Sequence, residues 1–83
     1  MRRVDILNAI ADERRFQQEK WGAPHDWGTG DASSHEVEPM TKVGVLTEEL
    51  GEVARAVLER DDSQLRAELI QLAAVAIAWL EGL

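Results

Sequence analysis

An all-α fold is predicted for this sequence by three of its features. Three segments carry apolar residues at helical spacing, and almost nothing alternates as a strand would. The last segment, "LIQLAAVAIAWL", is apolar on every face from Leu69 to Leu80 except at Gln71. Only "RDDS", residues 60–63, separates it from the segment before, so those two helices must lie antiparallel. The predicted architecture is an antiparallel helical hairpin with a flanking N-terminal helix, one domain over residues 1–83, which forms a four-helix core on dimerisation.

The first helix is expected at about 4–21. Leu7, Ile10 and Ala11 make an apolar patch in its first half, and at the same spacing that patch continues as Arg14, Gln17, Gln18 and Trp21. Two readings of this polar half stay open: a helix end emerging into solvent, or a face turned toward a site. Residues 22–38 follow as a loop without periodicity, holding three of the six glycines. A connection this long is usually functional or disordered. Disordered segments are poor in aromatic residues, and Trp21, His25 and Trp27 border or lie within this one, so a loop packed on something is expected.

Pro39 suits the first position of a second helix, 39–60, because its missing N–H would have no intrahelical partner there. Val43, Leu46, Leu50, Val53 and Val57 then alternate spacings of three and four, which predicts a packing seam. Asp61, Asp62 or Ser63 can cap a third helix, 64–83. A helix apolar all round is buried all round, yet a chain of 83 residues buries only roughly 60–65% of its unfolded surface. Self-association is the expected remedy, with Trp79 in the core or the subunit interface.

Sixteen acidic against nine basic side chains give a net charge of −7. That balance excludes general nucleic-acid binding, which needs Lys and Arg to displace phosphate counterions, and means that an anionic ligand requires a bridging cation. With no cysteine, disulfides and thiolate zinc sites are excluded. The arginines at the N-terminus precede no long apolar run, so a signal peptide is not expected. The run from Leu69 to Leu80 is only about 18 Å long as a helix against roughly 30 Å of hydrocarbon, so no membrane partner is expected. A soluble, cytoplasmic protein is the expectation.

"LTEELGEV" sets three carboxylates, Glu48, Glu49 and Glu52, into about one helical turn. Glu49 and Glu52, three apart, share one face beside the seam, whereas Glu48 falls further round toward water. On the third helix Glu68 and Gln71 repeat the spacing, and a turn near Asp61 brings both pairs to one level of the hairpin. Carboxylates converging in a partly dry site repel one another unless a cation sits among them. Oxygen-only ligation with open positions suits Mg²⁺ or Mn²⁺ and a phosphate-bearing substrate. The bland alternative is a solvated acidic face with salt bridges to Arg55, Arg66 or Lys42.

"LTEELGEVARAVLE" followed by "LRAELIQLAAVAIAWLE" resembles the MazG-like, all-α nucleotide pyrophosphohydrolase superfamily, whose signature is ExxE on one helix and ExxD on the next. "RFQQEKWG" is similar to the first helix of its small, phage-type members. The resemblance spans nearly the whole chain. It implies metal-dependent hydrolysis of a nucleoside triphosphate to monophosphate and pyrophosphate, with Glu49, Glu52 and Glu68 as catalytic metal ligands. Gln71 stands at the position of the Asp, where an amide oxygen can ligate Mg²⁺ but adds no charge. Arg14, Gln17, Lys20, Lys42 and Arg55 are candidate partners for the substrate, the cations for its phosphates. Trp21, His25 and Trp27 are candidates to stack on its base. The competing class is a non-catalytic helical interaction protein that keeps this fold with an incomplete metal site.

Overall fold

The computed structural model describes every residue from Met1 to Leu83. Its elements are α1 (Arg3–Trp21), β1 (Pro24–His25), β2 (Gly28–Thr29), α2 (Pro39–Leu58) and α3 (Asp62–Glu81). The three helices stand within about two residues of their predicted bounds. The two short strands were not foreseen: β1 and β2 pair antiparallel, Pro24 with Thr29 and His25 with Gly28. Two-residue strands carry no periodicity from which they could be read.

α2 and α3 form the antiparallel hairpin. Asp61 caps α3, its carboxylate accepting from the Gln64 amide at 3.0 Å. The end of α2 closes with a pair of reverse bonds, Asp61 N–H to the Ala56 carbonyl at 3.0 Å and Arg60 N–H to that of Val57 at 3.1 Å. This is a Schellman closure, and it puts Arg60 at the left-handed position with φ 56°.

α3 is the central element, packing against α2 on one side and α1 on the other, while α1 and α2 scarcely touch. The buried apolar side chains are few and mostly small: Val37, Ala56, Ala74, Val75 and Ala78. Alanines let the helices approach closely, but the arrangement stays open. The expected seam on α2 is not packed within the chain: Val43, Leu50 and Val57 are exposed, and Leu46 and Val53 are half-buried. One antiparallel neighbour covers only one side of a helix, so the other side of this stripe is left bare. No helix is long and apolar enough to cross a membrane.

The polar half of α1 does not emerge into solvent. Arg14 and Gln17 are buried and Trp21 is half-buried, and of the four only Gln18 is exposed. Arg14 Nη1 donates to Asp31 at 2.5 Å and its Nε to Glu81, tying α1 to the loop and to the end of α3. The loop is docked on α3 at two further points. The His35 ring lies 2.6 Å from the Gly82 carbonyl, and a Cβ on Gly82 would collide with the Ser33 carbonyl, so this close approach admits only glycine.

Candidate functional site

Because α1 and α2 diverge over α3, a cleft of about 370 Å³ opens between them. The inner face of α1, spaced three and four apart, supplies Glu13, Phe16, Gln17, Lys20 and Trp21. α2 supplies Lys42, Val45, Glu48 and Glu49, and α3 forms the floor with Gln71 and Val75. The docked loop closes one end with Trp27, Asp31, Ala32 and Val37.

Glu49 lies in the wall of this cleft, half-buried, with Oε2 buried and without a hydrogen-bond partner. Burial first, and then the charges of Glu68, Glu48, Glu52 and Glu13, raise its carboxyl above its ordinary pKa. Glu68 is the strongest of those charges. It is only 5% exposed and holds one oxygen on Gln64 Nε2 at 2.6 Å, while its Oε2 is buried and unpartnered. Glu52 is half-buried one turn along from Glu49 and does not line the cleft. Glu48 is exposed as expected, at the cleft's edge.

A solvated acidic face would give these carboxylates cations. None of the five ion pairs in the molecule involves Glu49, Glu52 or Glu68. Arg55 pairs with Glu59 at 3.4 Å, away from the cleft, and Arg14 is taken by Asp31 and Glu81. These two arginines therefore do not face the cleft.

The lysines do. Lys42 is only 5% exposed, has no carboxylate partner, and holds its ammonium 6.0 Å from the centroid of the Trp79 ring. Lys20 stands 5.0 Å from that of Trp21. Trp21, His25 and Trp27 form a cluster with ring centroids 4.5–5.1 Å apart. His25 Nε2 faces the Gly30 carbonyl at 2.6 Å while Nδ1 faces the Trp27 amide at 3.4 Å. A carbonyl can only accept and an amide only donate, so this network assigns the neutral Nε2–H tautomer. Trp21 and Trp27 line the cleft; His25 supports them from behind.

Gln71 lines the floor, its amide making no hydrogen bond; its backbone carbonyl accepts from Gln17 Nε2 at 3.3 Å. Glu13, Phe16 and Asp31 were not singled out from the sequence. Glu13 carries a legible signal, since it stands three before Phe16 and four before Gln17 on the face that Trp21 continues. Asp31 carries none, lying in a loop whose path no periodicity reveals.

Glu49 and Glu68 carry oxygen donors of the kind a hard cation takes, and one oxygen of each is buried without a hydrogen-bond donor. In the observed rotamers no three His, Asp or Glu side chains converge on one point. No protein family, characterised protein or solved structure matches the chain.

Proposed function

We propose that this chain is a divalent-metal-dependent nucleoside triphosphate pyrophosphohydrolase of the MazG-like kind, releasing monophosphate and pyrophosphate. The observation that carries this reading is that Glu49 and Glu68 each keep a buried carboxylate oxygen without a hydrogen-bond partner, and neither forms an ion pair with a cation of the chain. An isolated buried carboxylate is costly unless paired or ligated. Glu49, Glu52 and Glu68, with Gln71 as a neutral oxygen donor, are the residues that would hold Mg²⁺ or Mn²⁺. Such a cation supplies charge neutralisation for the phosphates and polarises the attacking water.

The remaining residues do what binding requires. With Asp31 paired to Arg14, Glu13, Glu48 and Glu49 against Lys20 and Lys42 still leave the cleft negative, so a triphosphate enters it with its cation. Lys42, buried and free of any carboxylate, offers a fixed charge for a phosphate oxygen, and Lys20 a mobile one. Trp21 and Trp27 line the same cleft, where an aromatic ring stacked on a base would contribute roughly 1–3 kcal/mol.

The working unit in this proposal is an oligomer. No large side chain is fully buried, and Val43, Leu50 and Val57 form an exposed apolar row spaced by seven along α2. Leu69, Ile77 and Leu80 add exposed apolar surface on α3. Two hairpins paired through these faces would make the four-helix core that one chain lacks.

The test is a panel of NTPs and dNTPs incubated with Mg²⁺ or Mn²⁺ and assayed for pyrophosphate and monophosphate. Equimolar release of the two, lost with EDTA and in Glu49→Gln, is expected. The competing reading, a non-catalytic interaction protein, draws on the amide at Gln71. Metal binding without turnover of any triphosphate would favour it.

A further inference from the structure

We propose that Gln17, on α1, selects the base: its Oε1 accepts a hydrogen bond from an exocyclic amino group, so the cleft takes amino-bearing bases in preference to those that carry only carbonyls. This rests on the preceding reading of the cleft as a nucleotide site.

Gln17 lines the cleft and is only 9% exposed. Its carboxamide is held by the nitrogen, for Nε2 lies 3.4 Å from Glu13 Oε1 and 3.3 Å from the Gln71 carbonyl oxygen. A carboxylate and a carbonyl accept, so exchanging the two ends of the amide would set oxygen against oxygen; the contacts therefore fix its orientation. Oε1 receives no hydrogen bond from the chain. The only side-chain polar atoms both sealed from solvent and unpartnered are Oε2 of Glu49 and Oε2 of Glu68, so Gln17 Oε1 keeps solvent access. In a side chain this buried, that access is through the cleft it lines.

Trp21 stands one turn further on the same face of α1, about 6 Å along the axis, and Trp27 packs beside it with ring centroids 4.5 Å apart. A base held against that aromatic pair has Gln17 at its edge. An acceptor with no donor beside it discriminates there. Cytosine and adenine carry an amino group where uracil and hypoxanthine carry a carbonyl oxygen. The amino group satisfies Oε1, whereas a carbonyl would oppose it and leave two acceptors unpaired. Nor can the amide turn over to suit a carbonyl without breaking both contacts of Nε2.

Calorimetric titration of the full chain with Mn²⁺ and α,β-imido triphosphates tests this. Cytidine, uridine and pyrimidin-2-one nucleosides share one ring size and differ only along the edge at positions 3 and 4; adenosine against inosine makes the comparison in purines. The amino-bearing member of each set should bind about tenfold or more tighter than the others. Gln17→Met, similar in shape but without the acceptor, should bring the ratio close to one, chiefly by weakening the amino-bearing ligand. Gln18→Met, at an exposed position on the same helix, should leave the ratio unchanged. Equal binding of the cytidine and pyrimidin-2-one analogues by the parent, or a preference for uridine and inosine, would overturn the role of Gln17 and leave the nucleotide site standing; this comparison needs no variant to fold. A folded Gln17→Met that keeps the parent's preference would overturn it as well. A parent that binds none of the analogues would overturn the nucleotide reading itself.

Discussion

Asp31 and Glu49 are two carboxylates shifted in opposite directions by their neighbours. Burial pushes Asp31 upward, but hydrogen bonds from the Ser33 hydroxyl and amide, with the charge and hydrogen bond of Arg14, outweigh it and leave its pKa lowered. A lowered folded-state pKa contributes stability that is present above the unfolded value and lost as the pH falls through the folded one. Asp31→Asn should therefore cost about 3–5 kcal/mol at neutral pH, as expected when one partner of a buried pair is removed. In urea melts across a pH series, the gap between parent and variant should narrow below about pH 4. A gap independent of pH would mean that Asp31 acts by packing rather than by charge. Glu49 has the opposite sign: its contribution is present below the unfolded pKa and lost as the pH rises through the raised folded one, unless a cation compensates.

At the scale of elements, the α2–α3 turn stores a small strain. Arg60 occupies the left-handed C′ position, which costs a non-glycine residue about 1 kcal/mol or more. Arg60→Gly should stabilise the hairpin by roughly 0.5–1 kcal/mol, the relief being reduced by the extra unfolded-state entropy of glycine. Thermal melting reads this directly, and a lower melting temperature would show that the Arg side chain contributes more than its backbone costs. The hairpin was legible because its determinants are local: Pro39 at the first helical position, Asp61 as cap, and runs of apolar residues at helical spacing. The first half of α1 was legible for the same reason. The helical span of its second half was legible too, but the burial of Arg14 and Gln17 was not, because that face is polar and its partners, Asp31, Glu81 and the Gln71 carbonyl, are far away in sequence. The docking of the loop depends on such distant contacts throughout. Glu49, Glu52 and Glu68 could be singled out from spacing alone, whereas Glu13 reaches the cleft only through the packing of α1 on α3.

For the whole molecule, the exposed apolar row on α2 bears on assembly. Leu50 is 57% and Val57 56% exposed, and rows of this kind on soluble chains mark contact surfaces. Light scattering at micromolar concentration should show a dimer or larger assembly. Leu50→Glu with Val57→Glu should dissociate it and destabilise the fold together, as expected where association and folding are linked. A stable, well-folded monomer from the parent sequence would remove the oligomer from the account. The claim on which everything else turns is that the crowded carboxylates of the cleft are a cation site, and the most direct measurement is the melting temperature with and without Mn²⁺ plus a non-hydrolysable triphosphate, in the parent and in Glu49→Gln. A ligand bound only by the folded state at a hundredfold excess over its Kd stabilises by about 2.7 kcal/mol, roughly 10–20 °C for a domain of this size. The account expects a gain of that order in the parent and its near-complete loss in Glu49→Gln, with the metal-free variant at pH 7 no less stable than the metal-free parent. A parent curve indifferent to Mn²⁺ and triphosphate, or an equal gain in Glu49→Gln, would contradict it.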